Sequence, residues 1–205
     1  DEFLNAIEHS LLQTPCPFEE LFLQEGDGVM GENYLTGLLW ALETLAWDEQ
    51  YLVRVSVILG ELADRDPGGK WSNRPSSSLT TIFLPWLPQT MASIEKRKIA
   101  VKTSCKEFTE MGWTLLLSLL PNRHQTSMGS HKPMWHQEGP KNYDKETNNK
   151  AYREQVLIYA EVAVDLAKSD IYKLNQLIIH LNHLPQAPLE KILEYLSSES
   201  ILGRP

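Results

Sequence analysis

Three histidines fall within one long polar segment of the sequence, separated by seven and five residues: His124, His131 and His136. Zinc is held by three or four converging nitrogen, sulfur or oxygen ligands, and imidazole is a common one. Joined by Asp66, these side chains would make a metal-dependent hydrolase or nuclease, which is one alternative function. Because the sequence has no HExxH pattern and no closely spaced cysteine pair, solvated loop histidines are the favoured interpretation.

Two further groups of titratable residues have the types needed for acid–base chemistry. Glu61, Asp64 and Asp66 follow one another at the end of a predicted helix, and His180 and His183 lie one helical turn apart. Carboxylates that share a pocket can act as acid and base, but at a helix end they are ordinary solvated charges. The sequence has no GxSxG nucleophile motif and no phosphate-binding loop ending in Lys-Ser/Thr. We therefore predict that the chain is not an enzyme and binds no cofactor.

The charge of the chain disfavours nucleic acid as its main partner. Lys and Arg total 19 against 27 Asp and Glu, which gives a net charge of -8, whereas affinity for nucleic acid rests on clustered basic side chains. A nucleic-acid-binding scaffold remains the second alternative, with a tryptophan that stacks on a base. Its candidate residues are Lys96, Arg97, Lys98, Arg123, Lys132 and Trp135.

Hydrophobic periodicity predicts helices along most of the chain. Apolar residues spaced by three and four positions mark a pair of helices, from Asn33 to Ala46 and from about Asp48 to Arg65, that form an antiparallel hairpin. No alternating run is long enough to require a sheet. The predicted fold class is all-α: antiparallel helix hairpins that form an α-solenoid of the HEAT, armadillo or TPR kind, or an irregular helical bundle, with two long ordered loops. Further helices are predicted at 90–101, 104–120, 150–168, 170–184 and 188–197.

Length and composition suit a single helical domain, residues 1–205, with 42% hydrophobic residues. The sequence starts without Met and stops just after a helix pattern, so we expect a fragment of a larger protein. No apolar run approaches the ~20 residues that span a bilayer, and the basic-then-apolar layout of a signal peptide is absent. We predict a cytoplasmic location without a membrane partner, and free thiols at Cys16 and Cys105.

The stretch 66–90, DPGGKWSNRPSSSLTTIFLPWLPQT, interrupts the helices. Asp-Pro-Gly-Gly is a helix stop, and the serines at 76–78 are N-cap candidates for a short helix. Such a corner can bury its tryptophans, offer them with its arginine as anchors for a protein partner, or do both. A second irregular loop, 121–149, adds further candidates. The predicted interaction residues of the two loops are Trp71, Asn73, Arg74, Trp86, Gln89, His131, Lys132 and Trp135.

The motif DPGG-W-x-NRP, followed by FLPW-x-PQT, resembles a segment of very large bacterial proteins. The similarity runs from about Leu38 to Trp135. In those proteins an N-terminal effector or nucleotide-binding module precedes a long helical array, as in anti-phage defence proteins of the STAND NTPase or sirtuin-domain type. The resemblance implies a cytoplasmic helical-repeat region that acts as scaffold or sensor without catalysis. Its partner would be a protein or the neighbouring domains of the same chain, with no small-molecule substrate evident.

Overall fold

The computed structural model describes residues 1–24, 33–69, 72–122, 126–133 and 149–198. Within these ranges every regular element is a helix and no strand occurs, which confirms the predicted all-α class. The α-helices in chain order are α1 Glu2–Leu11, α2 Glu19–Phe22, α3 Tyr34–Ala46, α4 Leu52–Asp64, α5 Pro75–Phe83, α6 Ile94–Glu107, α7 Thr109–Leu119, α8 Asn149–Ala167, α9 Ile171–Ile178 and α10 Gln186–Ser197, with a 3-10 turn at Leu181–His183 between the last two.

Helix α4 lies at the centre of the first part of the fold. Its apolar stripe, which includes Leu52, Val55, Ile58, Leu59 and Leu62, is buried, and the helix packs against α1, α3, α5, α6 and α7. The repeats of a solenoid contact mainly their sequence neighbours. Because α4 is surrounded on several sides, its contacts favour the irregular bundle among the predicted arrangements.

The second part of the fold is organised by α8, which packs against α6, α7, α9 and α10. Small residues of α8, Ala160, Ala163 and Ala167, are buried on its inner side and let neighbouring helices approach. Gly112 has the same role where α7 turns back on α6, because a Cβ there would lie 2.4 Å from the Cα of Cys105. No helix in the described ranges is both long and apolar enough to cross a membrane.

Several helices begin or end at other residues than the sequence predicts. Helix α6 continues to Glu107 instead of stopping near Val101, and Ser104, where the next helix was predicted to begin, lies inside it with its hydroxyl donating to the Ala100 carbonyl at 3.1 Å. Helix α6 begins at Ile94 rather than at residue 90 and is capped by Ser93, and α4 begins at Leu52, four residues after its predicted start near Asp48. Helix α9 stops at Ile178, and a 3-10 turn covers part of the remaining predicted span.

The short helix of the 66–90 stretch, α5, also starts earlier than predicted. It begins at Pro75, whose fixed φ suits the first helical position. The serines at 76–78 therefore lie inside α5 and do not cap it. The predicted helix stop before it is present: Gly68 and Gly69 have positive φ values of 78° and 151°, a region that glycine enters without steric penalty.

Both cysteines are free, as the sequence predicts, and both are buried. Burial raises the pKa of the Cys105 thiol to about 12. A thiol with so high a pKa carries almost no thiolate at neutral pH, and the thiolate is the reactive form. Cys105 is therefore a packing residue between α6 and α7.

Candidate functional site

The 66–90 stretch turns two of its predicted interaction residues inward. Arg74 is 8% exposed, and its Nη1 lies 3.0 Å from the Oδ1 of Asp66, a residue just past the end of α4. Gln89 is 2% exposed. Neither side chain can reach a partner, so the surface expected from the sequence does not include them. The cause is the early start of α5, which leaves Arg74 as the N-cap residue, next to the carboxylate of Asp66.

Other predicted interaction residues of this stretch lie at the surface. Trp86 is 38% exposed. Asn73 is exposed and donates from Nδ2 to the hydroxyl of Thr36 at 3.3 Å. Trp71 and Trp135 lie outside the described residues, as do Arg123, His124 and His136.

Residues 126–133 are fixed onto α3 and the 66–90 corner by hydrogen bonds at successive backbone groups. The N–H of Ser130 donates to the Oε1 of Gln89 at 3.1 Å, and the N–H of His131 donates to the Oε2 of Glu43 at 2.8 Å. The carbonyl of His131 accepts from the indole N–H of Trp47 at 3.1 Å. Gln89 is therefore a buried support for this segment, and His131 is held at both of its backbone polar groups.

Glu43 is the buried residue that joins these pieces. Its Oε1 accepts from the hydroxyl of Ser78 in α5 at 2.7 Å, while its Oε2 accepts from His131. A buried carboxylate is costly unless it is hydrogen-bonded, and here both oxygens are used. Glu43 thus ties α3, α5 and the 126–133 segment together.

The side chains of His131 and Lys132 each contact a tryptophan of the α3 region. The imidazole of His131 stacks on the indole of Trp40, with ring centroids 5.0 Å apart and an angle of 9° between the planes. The Nζ of Lys132 lies 5.2 Å from the centroid of the Trp47 ring, a cation–π contact. Both residues are exposed, and their predicted role in an interaction stays a prediction.

An apolar cleft opens beside the Trp40–His131 stack, between α1 and α3. It has a volume of about 500 Å³, and Phe3 and Trp40 on its walls are 45% and 46% exposed. Gly37 also lines the cleft and is exposed, and an added Cβ there would meet no atom within 4 Å. We call this feature the Phe3–Trp40 cleft; its remaining lining residues are Ala41, Thr44, Leu45 and His131.

The sequence did not single out Phe3, Gly37 or Trp40. The buried stripe of α3 is formed by leucines at 35, 39 and 42, and Trp40 falls outside that stripe. A large apolar residue off the buried face, one helical turn after a glycine, was the signal available in the sequence. It was not decisive because single exposed apolar residues are common at protein surfaces.

The basic run at 96–98 does not form a continuous cationic surface. Arg97 is 5% exposed and points into the core, where it donates to the Oε1 of Gln155 at 2.8 Å and to the carbonyl of Thr90 at 3.5 Å. Lys98 lies 3.5 Å from the carboxylate of Glu95. The nucleic-acid alternative therefore loses its central residue, because the period of α6 places Arg97 on the buried face.

The same interior region holds a hydrogen-bonded tyrosine. The Nε2 of Gln155 donates to the hydroxyl oxygen of Tyr159 at 2.8 Å and to the carbonyl of Phe83 at 3.2 Å. Burial raises the pKa of Tyr159 well above its ordinary value, so the phenol stays neutral. This polar cluster joins α5, α6 and α8.

No group of three or more histidine, cysteine, aspartate or glutamate side chains is placed to hold a metal among the described residues. Within that part of the chain, Asp66 is used by Arg74 and by the N–H of Gly68 at 2.8 Å. The imidazole of His131 is stacked on Trp40. Because His124 and His136 lie outside the described residues, the metal-dependent alternative stays a prediction.

No protein-family model, curated protein or solved structure matches the chain. The resemblance to the helical arrays of bacterial defence proteins therefore stays a prediction as well. What bears on function is the surface itself, and in particular the Phe3–Trp40 cleft.

Proposed function

We propose that the chain is a non-catalytic helical scaffold or sensor module that binds a protein partner in the Phe3–Trp40 cleft. The occupant we propose is a basic amphipathic helix that inserts a large apolar side chain above Gly37. Docking of an amphipathic helix into an apolar groove is a recurrent mode of recognition. The proposal rests on an apolar cleft lined by Trp40, which is stacked on His131, and by Gly37, which has open space beyond its Cα.

Trp40 has the properties of an interface anchor. Tryptophan is enriched among the residues that contribute most to protein binding. Here nearly half of its surface is exposed, and its ring is oriented by the stacked imidazole of His131. Because Glu43 and Trp47 hold the backbone of His131, the stack is formed before a partner arrives, and less conformational entropy is lost on binding.

Gly37 supports the same proposal because nothing in the described fold requires a glycine there. Glycine inside a helix is less stable than alanine by about 0.5–1 kcal/mol. At Gly112 this cost is offset by a close helix approach, but at Gly37 the space beyond the Cα is open. An apolar side chain of a partner can therefore contact the α3 backbone at Gly37 with no Cβ between them.

The basic character of the partner follows from charge. The chain has a net charge of -8, Glu2 is exposed beside Phe3, and α3 contains no basic residue. Asp1 is also exposed and pairs with Arg54 at 3.3 Å. Complementary charge raises the rate of association and disfavours like-charged competitors. If the chain belongs to a larger cytoplasmic protein, as the resemblance implies, a helix of a neighbouring domain can fill the cleft in the same way.

The proposal is tested by titrating the protein into a fluorescently labelled 18-residue peptide. As a helix, this peptide places leucine on one face and lysine on the other. We expect binding in the micromolar range, and a Trp40→Ala variant to bind at least about tenfold more weakly, as is typical of a central anchor. The control peptide replaces lysine by glutamate and should bind far more weakly. Equal binding of the lysine peptide by Trp40→Ala would contradict the proposal.

A further inference from the structure

Helix α9 turns an apolar face to solvent. Four large apolar side chains on it are exposed: Ile171 by 65%, Tyr172 by 62%, Ile178 by 43% and Ile179 by 78%. The backbone of the last of these continues the helical conformation past the end of α9. At 3.6 residues per turn, the four side chains and Asn175 fall within one sector of about 120°. The buried Leu174 and Leu177 lie on the other side of the helix. We call this sector the α9 face.

The α9 face carries no charged residue. The single charged residue of α9 is Lys173, which is 5% exposed and has its Nζ 3.4 Å from the carboxylates of both Asp170 and Glu110. Helix α10 packs against the same helix α8 and instead exposes Glu190 and Glu194. A helix at a protein surface normally carries its charged and polar residues on the outer side. Helix α9 therefore has the residue pattern of a helix that is covered on both sides.

The size of the α9 face limits the strength of any complex that it forms. The exposed parts of its four apolar side chains amount to on the order of 400 Å², and apolar patches of this size on a monomer are often functional. A standard stable interface buries about 800 Å² on each partner. The α9 face is therefore large enough for the apolar centre of a weak interface and too small for a tight one.

The residues of the α9 face are arranged symmetrically about Asn175. Ile171 and Ile179 lie four residues before and after it, and Tyr172 and Ile178 lie three residues before and after it. Two α9 helices can pair antiparallel with a two-fold axis beside Asn175. Ile171 of one copy then faces Ile179 of the other, Tyr172 faces Ile178, and the two Asn175 side chains meet on the axis. A two-fold interface needs a self-complementary patch of this kind.

Asn175 and the charge of the chain both favour a second copy as the partner. A carboxamide has donors and an acceptor, so two of them on a two-fold axis can hydrogen-bond to each other, and a buried asparagine can fix the register of paired helices. The net charge of -8 makes two copies repel each other. A face without charged residues adds no like-charge contact to that repulsion, and it offers no counter-charge to a charged partner such as a basic helix.

We infer that two copies of the chain form a weak dimer through the α9 face, with the α9 helices antiparallel and the two-fold axis at Asn175. The inference goes beyond the proposed binding of a partner helix, because no residue of the α9 face lines the Phe3–Trp40 cleft. A Trp40→Ala variant should dimerise as the wild type does, and an Ile179→Lys variant should bind the leucine–lysine peptide as the wild type does. The two proposals can therefore fail separately.

Sedimentation velocity at protein concentrations from about 5 μM to about 1 mM measures the dimer, and we expect a dissociation constant of about 100 μM. Ile179→Lys and Ile171→Glu each place an unpaired charge against an apolar side chain, so each should weaken the dimer at least about tenfold. Both variants should fold, because both positions are exposed. Ile99→Lys is the matched control: that isoleucine lies on α6 and is 51% exposed, and the variant should dimerise as the wild type does.

The double variant Ile171→Glu/Ile179→Lys tests the antiparallel register. It places opposite charges across the interface, so it should dimerise at least about fivefold more tightly than either single variant. A double variant no tighter than the single variants overturns the inference, because parallel pairing would bring like charges together. A chain that stays monomeric at about 1 mM, or an Ile179→Lys variant that dimerises like the wild type, overturns it equally. Loss of the leucine–lysine peptide in a monomeric Ile179→Lys protein would assign the α9 face to a partner helix instead.

Discussion

Replacing Gly112 by alanine is expected to lower the free energy of unfolding by about 2 kcal/mol, even though alanine is the better helix former. The added Cβ would lie 2.4 Å from the Cα of Cys105 and 2.8 Å from its backbone nitrogen. Those atoms belong to the main chain of α6 and cannot move aside as a flexible side chain would. The helices α6 and α7 must therefore separate, and the packing of the Trp113 ring beside them is disturbed.

The matched control is the same substitution at Gly37. That residue is also inside a helix, but an added Cβ meets nothing within 4 Å. We expect Gly37→Ala to raise the free energy of unfolding by about 0.5–1 kcal/mol. In urea or thermal unfolding, Gly112→Ala should lower the midpoint temperature by roughly 4–8 °C and Gly37→Ala should raise it slightly. Effects of the same sign and size at the two positions would show that the described helix contacts are wrong.

Replacing Glu43 by alanine is expected to lower the free energy of unfolding by about 3 kcal/mol. The substitution removes the acceptor of the buried Ser78 hydroxyl and of the part-buried His131 N–H, and a donor left unsatisfied in the interior costs about 1–3 kcal/mol. Glu43→Gln is the control, because it keeps one carbonyl oxygen and nearly the same volume. We expect it to lose only about 1 kcal/mol.

Amide hydrogen exchange in Glu43→Ala distinguishes the loss of these two hydrogen bonds from a general loss of core packing. Release of the His131 N–H should free residues 126–133 from α3, so the amides of Ser130 and His131 should exchange with deuterium much faster than in the wild type. Amides in the middle of α4 should change only in proportion to global stability. Uniform acceleration over the whole chain would contradict the specific role given to Glu43.

The helices could be predicted from sequence because their buried stripes are long and regular. Leu35, Leu39 and Leu42 repeat at helical spacing and are buried in α3 as expected. The ends of helices were harder to predict from sequence. Pro75 and the serines that follow it are all suited to the start of α5, and only the fold shows that the helix begins at Pro75. Local propensity is a weak guide where several residues suit one position.

The candidate site was harder to predict than the helices, because it depends on contacts between residues far apart in the chain. His131 was predicted at an interaction surface, but its partners Trp40, Glu43 and Trp47 are more than 80 residues away. Arg74 and Gln89 have the polar types expected on a surface. They are buried because Asp66 and the N–H of Ser130 offer them partners inside the fold, which sequence spacing does not reveal.

The central proposal is that a partner helix inserts an apolar side chain above Gly37, and a Gly37→Leu variant tests it most directly. The Cβ of a leucine there meets no described atom within 4 Å, and leucine is a better helix former than glycine, so the fold should be at least as stable as the wild type. We predict that this variant binds the leucine–lysine peptide at least about tenfold more weakly than both wild type and Gly37→Ala. Unchanged peptide binding by a folded Gly37→Leu protein would contradict the proposal.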